Sequence, residues 1–475
     1  MYNKILSGLI VLGIILFVVS CGNNDNVTGD IVTDNVIADT SLVEDAAAAS
    51  AAAALDLPED LDFGGVTFTI LACDENVPYT YIEMPEQQDG DIMNDAVYDR
   101  NLRVEENLNI TLALKTVSGT DTEPLVKSSV LSGDKAYNMV SPHILRSIST
   151  LVVQNLLQDL NQVEYVDFEK PWWNKTFSET MKIKGKVFYA SGDTIVPNAR
   201  VIVFNKDMME NYDKEDIYDV VYNGNWTLDK LGEYCADMVV DLDGSGVMDI
   251  NDQYAFSDLG NTGLATSFVH ASDMLFLDIS NDSFRLTLND DKMDVIINKL
   301  YDYIYREGNT AITNENFGNG NVLFGSQVLL KLQILRSYDT DFGIIPFPKY
   351  DEFQEEYYSS VWNGLLCVPI DVNNIDCAGA VLEAMAYYSS LTLVPAYYEQ
   401  LLDSKFVRDE NSSKMLDIIF DGLIYDFGLC FDNFMGNYSS VGTLLNSGNT
   451  DITSFYAANE SKYTLHYQEI FDAVE

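Results

Sequence analysis

Twelve residues near the middle of the chain, Asp241-Leu242-Asp243-Gly244-Ser245-Gly246-Val247-Met248-Asp249-Ile250-Asn251-Asp252, carry the sharpest chemical pattern. Side-chain oxygens fall at positions 1, 3, 5, 9 and 12, with glycine at 6, which is the spacing of an EF-hand-type calcium loop. Asp241, Asp243, Ser245 and Asp249 offer side-chain oxygens, Val247 its carbonyl, and Gly246 the sharp turn. Asp252 stands where a longer glutamate is usual, so a bidentate grip is weaker and affinity lower than in a sensor. The stretch Tyr234–Val240 reads as a helix, whereas the flank after Asp252 does not. A structural Ca2+ ion in an isolated loop is therefore expected, and not a switch; a solvated Asp/Gly turn is the alternative reading of the same residues.

Elsewhere the residue types argue against covalent chemistry. His143, His270 and His466 are far apart, and no metalloprotease helix, nucleophile elbow, phosphate loop or dinucleotide fingerprint is present. With 74 acidic residues some carboxylate pair is inevitable, so a glycosidase pair is not singled out. Cys73, Cys235, Cys367, Cys377 and Cys430 form an odd set without metal or redox spacing, as buried small hydrophobes do. The formal net charge of −47 repels nucleic acid and anionic head groups. These patterns suit a binding protein that is not an enzyme.

The N-terminus assigns a compartment. Lys4 precedes the apolar run Ile5–Val19, which is too short for a full span and ends at Ser20-Cys21. Residues 1–20 read as a signal peptide, and the small residues before the cysteine resemble a bacterial lipobox. That resemblance implies that Cys21 becomes the lipid-bearing first residue of a protein held outside the cell membrane. Gly22–Asp60 has nine acidic residues, no Lys or Arg, and an alanine tract. It has few large apolar side chains to offset ordering entropy. Residues 21–60 are thus expected to be a flexible linker reaching roughly 35 Å.

The remaining 61–475 exceed one hydrophobic core, so two lobes are expected. Val66–Ile70 alternates as a strand, Asn94 or Asp95 reads as a helix cap, and Asn109–Leu114 alternates again, which predicts a parallel strand–helix–strand unit. Helices are predicted at Asp229–Met238, Asp291–Arg306, Ala378–Ser389 and Ser412–Phe420. The class is α/β.

Several segments, in order, carry a family resemblance: Asn94-Asp95-Ala96-Val97-Tyr98-Asp99-Arg100-Asn101, Val187-Phe188-Tyr189-Ala190-Ser191-Gly192-Asp193, and Phe204-Asn205-Lys206-Asp207-Met208. Asn225-Trp226-Thr227-Leu228-Asp229-Lys230, Phe342-Gly343-Ile344-Ile345-Pro346-Phe347-Pro348-Lys349 and Arg408-Asp409-Glu410-Asn411-Ser412 follow. The set resembles the extracellular solute-binding proteins of ABC importers, in the family that binds carbohydrates, although Asn138 stands where that family suggests aspartate. The resemblance implies a two-lobed periplasmic-binding-protein-like fold with a hinge and an interlobe cleft. It also implies a small-molecule ligand such as an oligosaccharide, ABC permease subunits as partners, and a monomer. Crossings are placed near Asp193–Val196, Asn321–Phe324 and Tyr358–Trp362. Lobe one is then 61–194 with 323–357, and lobe two 195–322 with 358–475.

Within that frame, a sugar site needs aromatic platforms flanked by carboxylates and amides. Trp362 and Asn363 beside a crossing, and Trp172 and Trp173 after Pro171, are candidate platforms. Trp226, just before the helix cap Thr227, is a core anchor. Asp193 at the hinge offers a hydrogen-bonding carboxylate. His143 and Asp74, with Glu75, follow strands whose carboxyl ends face the cleft. A glycan-binding surface adhesin and a secreted glycosidase are the alternative functions.

Overall fold

The computed structural model describes residues 53–474 apart from 75–79, 144–145, 259–262, 281–282, 307–308, 311–316, 362–363, 403–409 and 433–436. Cys21, Glu75, Trp362 and Asn363 therefore lie outside the described residues.

The strand–helix–strand unit forms as predicted. In Val66–Cys73 (β1) the side chains alternate, Phe68, Ile70 and Ala72 entering one core and Leu71 the other. Asp91, not Asn94 or Asp95, caps Ile92–Leu108 (α1), accepting the Met93 and Asn94 N–H groups at 3.0 Å. Asn109 ends α1 in the left-handed region at φ 46°. Ile110–Val117 (β2) follows at once and pairs in parallel with β1. Met139–Ser141 (β3) pairs in parallel on the other edge, so the order is β2-β1-β3. Asn138 locks that edge: it accepts from Thr69 N and donates its own N–H to Thr69 O, both at 2.8 Å. An amide thus does structural work where the resemblance suggests an acid.

The second sheet is built from Arg200–Asn205 (β4), Tyr254–Ser257 (β5), Val322–Val328 (β6) and Phe342–Ile345 (β7), in the order β5-β6-β4-β7. Both β6 and β7 lie antiparallel to β4. Residues 323–345 therefore belong to the second lobe, which corrects the expected assignment of 323–357 to lobe one. Asn321–Phe324 is not a crossing; it is the entry to β6, reached through the turn at Gly320, where φ is +79°.

The crossings are antiparallel neighbours. Residues 191–199 leave the first lobe where Ala190 bridges Leu366, and they enter the second where Ala199 bridges Val361. The returning chain then pairs Cys367 with Val140 of β3. Ser359–Ser360 (β8), just before that return, lies on the second lobe beside Leu264–Ala271 (α2). After the return Ile375–Leu391 (α3) packs on α1, so this helix is in lobe one, and the expected 358–475 for lobe two is corrected. The apolar stretch Ile375–Leu401 is long enough to cross a membrane, yet 72% of its 18-residue apolar window is buried, as suits a core helix. Gly379 is required there, since a Cβ would stand 2.0 Å from Glu164 O. The chain returns to the second lobe at Leu423–Ile424 (β9), parallel to β8.

The other predicted helices occur at Leu228–Cys235, Asp291–Leu300 and Glu410–Asp421. The first stops at Cys235, so the helix expected over Tyr234–Val240 is not formed. One core runs from Leu71 and Val140 through Tyr189, Val196 and Ala199 into the second sheet; the other backs β1 with Val104, Leu108, Val381 and Met385. All five described cysteines are buried free thiols. The end of the expected linker is also corrected: Leu55, Leu57, Leu61 and Phe63 pack on the first-lobe core, and Asp56 pairs with Lys170. Ala53 joins these spaced leucines against the core.

Candidate functional site

Strands of both sheets lie at the crossings, where Val140 bridges Cys367 and Ala199 bridges Val361. In the order β2-β1-β3 the chain reverses direction across the sheet between β1 and β3, the place where open α/β sheets hold ligands outside their carboxyl ends. Exposed Asp74 follows β1 there, and half-buried His143 follows β3. From the second lobe come Arg200 at the start of β4, Gln327 near the end of β6 and Asp258 just after β5. Arg200 is 2% exposed, and its guanidinium meets Ser326 Oγ at 3.3 Å with Asp258 Oδ1 3.9 Å away. Asn198, in the crossing itself, accepts the Leu330 N–H at 3.3 Å. Arg200, Asp258, Gln327 and Asn198 were not foreseen, because their approach depends on the antiparallel pairing of β4 with β6.

The tryptophan pair has a different role from the expected one. Trp172 is fully buried and Trp173 is 5% exposed. Their indole N–H groups donate to the two oxygens of one carboxylate, Glu383 on α3, each at 2.9 Å. Tyr387 meets Trp172 edge-on at 5.0 Å, and Phe168 meets Trp173 at 5.4 Å. Trp172 has no surface left for a ligand, so the expectation of a stacking platform there is corrected. Burial pushes the Glu383 carboxyl up to about 7, against the pull of the two indoles and the Asp167 N–H. Trp226 is the anchor expected of it, fully buried with Nε1 donating to Pro346 O at 2.9 Å. Thr227 caps the helix after it.

Trp173 does line a pocket of about 190 Å3 at the hinge, with Pro171, Asn174, Ser191, Asp193, Pro197 and Tyr425. Asp193 is thus brought together with Trp173, while Asn174 and Tyr425 are additions that no local pattern signalled. Burial pushes the Asp193 carboxyl up to about 8.

The acidic loop is closed at its base by the bridge between Val240 and Gln253. Asp241 Oδ1 and Oδ2 accept from Gly244 N and Gly246 N, both at 2.7 Å. These N–H groups, Gly246 first, hold the Asp241 carboxyl below its usual range. Fully buried Asp252 accepts from Leu242 N at 2.8 Å and Asp249 N at 2.7 Å. Asp241, Asp243 and Asp252 each bring an oxygen within 4.8 Å of the others. Ser245 Oγ turns to the Val247 carbonyl at 3.0 Å, and Asp249 Oδ1 accepts from Asn251 N at 2.8 Å. The donor set suits a hard cation, which would take oxygens from these residues.

A Ser–His–Asp arrangement exists as well. His270 on α2 bonds through Nδ1 to Ser360 Oγ (2.9 Å) and through Nε2 to Asp426 Oδ2 (3.0 Å). Each of the three is at most 1% exposed, so no substrate reaches Ser360. The network ties β8 to α2 and to the chain after β9.

No protein-family model matches the chain, and no curated protein matches it in sequence. Solved structures resemble it in fold. A solute-binding protein of an ABC transporter from Agrobacterium radiobacter, solved with ribitol, superposes with a TM-score of 0.56 at 12% identity, over 86% of this chain and 100% of the other. The lacto-N-biose-binding protein of a Bifidobacterium longum ABC transporter gives 0.55 at 12%, over 86% and 98%. An ABC substrate-binding protein from Listeria monocytogenes, solved with cycloalternan, gives 0.54 at 11%, over 84% and 98%. The chain therefore has the two-lobed, periplasmic-binding-protein-like α/β fold, with a hinge and an interlobe cleft.

Proposed function

We propose that this protein is an extracytoplasmic, lipid-anchored receptor that captures a carbohydrate, such as an oligosaccharide, and delivers it to the permease of an ABC-type importer. The observation that carries this reading is the convergence on one hinge of strand ends from two sheets. Exposed Asp74 and half-buried His143 follow strands of one lobe and half-buried Asp258 follows β5 of the other, with Arg200 and Gln327, each 2% exposed, behind it. Carboxylates and an imidazole supply acceptors and a donor that hydroxyl groups need. The ligands of the structural neighbours, ribitol, lacto-N-biose and cycloalternan, are hydroxyl-rich and uncharged, which supports the same class. Asp193 and Trp173 stand at the hinge end of this region. The lipid would be carried by Cys21, and ligand exchange needs no covalent step.

A thermal-shift screen against sugars, sugar alcohols, amino acids and peptides tests the class. A ligand at about 100 times its Kd adds about 2.7 kcal/mol to folded-state stability. A rise in Tm confined to saccharides or polyols is expected; a rise confined to peptides or amino acids would overturn the carbohydrate reading.

The 241–252 loop is proposed to hold a structural Ca2+ through Asp241, Asp243, Ser245, Val247, Asp249 and Asp252. The convergence of three carboxylates over a bridged loop base supports this. Calcium in millimolar excess is expected to raise Tm by several degrees and a chelator to reverse the rise. The same Tm with and without chelator would refute it, and Asp241→Asn should abolish the response.

A further inference from the structure

One polar seam joins the segment before the first crossing to the second lobe. Asn174 Nδ2 donates to Tyr425 Oη at 2.9 Å, and the Phe177 ring meets that of Tyr425 edge-on at 5.2 Å. Asp193 sits beside this seam in the hinge pocket. Its backbone is fixed there, since Asp193 N donates to Trp172 O at 2.9 Å. At Gly192 a Cβ would stand 2.5 Å from that same carbonyl, so the turn is pressed against the tryptophan pair. Among the described residues lining the pocket, no side chain carries a positive charge. Asp193 is half-buried, and a carboxylate formed here has no partner charge among these residues and must draw in further water.

We propose that the Asp193 carboxyl makes this seam a proton-sensitive hinge: protonated, it seats the lobes against each other at Asn174 and Tyr425, and ionised, it parts them there. The regulation rests on the reading of this protein as a two-lobed binding receptor.

The direction with pH follows from linkage. The seated carboxyl holds its proton up to about 8, whereas a parted, solvated one returns to roughly 4. Between those values the parted form binds fewer protons. The seated form is fully favoured below about 4 and loses ground as pH rises through about 8, by up to about tenfold per pH unit in the opening equilibrium. Above that the dependence ends. The other groups facing this site do not supply the effect. Burial holds the Tyr425 phenol, and the Cys430 thiol behind it, above their usual ranges. Lys175, next to Asn174, is 63% exposed and turned to Glu169. Glu383, across Trp173, has its hydrogen-bond partners Trp172, Trp173 and Asp167 within the first lobe, so its proton is held alike in both arrangements.

The test is small-angle X-ray scattering of the whole mature protein without added ligand, from pH 5 to 8.5, on wild type, Asp193→Asn and Tyr425→Phe. The wild-type radius of gyration is expected to change across this range and Asp193→Asn to be flat. Tyr425→Phe, which keeps the carboxyl but loses the interlobe hydrogen bond, should shift toward the parted form at every pH and keep its slope. The Tyr425→Phe profile decides the matter if Asp193→Asn fails to fold. A wild-type profile without pH dependence, an unchanged profile in Asp193→Asn, or a flat one in Tyr425→Phe would overturn the proposal. Saccharide binding measured in parallel at one pH separates the two readings. Intact binding with no pH response defeats only the hinge, and a pH response without saccharide binding defeats only the carbohydrate assignment.

Discussion

Replacing Trp172 by alanine is expected to cost about 3–5 kcal/mol of folding stability, the range for removing a large, fully buried aromatic side chain. The ring is completely enclosed, sits edge-on to Tyr387, and donates to Glu383 Oε1. Its loss leaves a cavity in the first-lobe core and takes one of two indole donors from a buried carboxylate. The remaining charge is less well satisfied, so the Glu383 carboxyl should rise further above about 7. Urea denaturation checks the cost, and a loss under 1 kcal/mol would mean that the ring is not a core element. Leucine at 172 should recover part of the packing but not the carboxyl's titration, which separates volume from hydrogen bonding.

Asp426→Ala is the second change with a large expected effect, again about 3–5 kcal/mol, as when one partner of a buried polar pair is removed. Asp426 is 1% exposed and accepts from Phe276 N at 2.8 Å and Gly428 N at 2.7 Å besides bonding His270. Its removal orphans two backbone N–H groups and frees the imidazole that holds Ser360. Ser360→Ala, which takes only the outer hydroxyl, should cost about 0.5–1.5 kcal/mol. Equal losses for the two variants in the same denaturation assay would contradict the view that Asp426 is the centre of this network. A Ser360-dependent esterase activity would contradict the view that the trio is structural.

What the sequence made legible was local. Alternation in β1 and β2 and the helical period between them were enough to predict a parallel unit. The calcium-loop spacing places three of its acids together. Pairings between distant segments were not legible. A crossing is expected near Asn321–Phe324, but the strand that follows returns to β4, and no local pattern distinguishes the two outcomes. The adjacent tryptophans read as candidate platforms, but what holds both indoles is a single acceptor, Glu383, 211 residues after Trp172. Tyr425 lies 251 residues from Asn174, and only the fold brings them to the hinge.

The most direct test of the central claim is small-angle scattering of the mature protein titrated with the saccharide that the thermal screen selects. A receptor whose lobes share a hinge should become more compact as the ligand saturates the cleft, with one saccharide recovered unchanged per chain. A bound saccharide that leaves the scattering curve unaltered would contradict capture between the lobes and favour a surface glycan adhesin, and hydrolysis of the added glycan would point to a glycosidase.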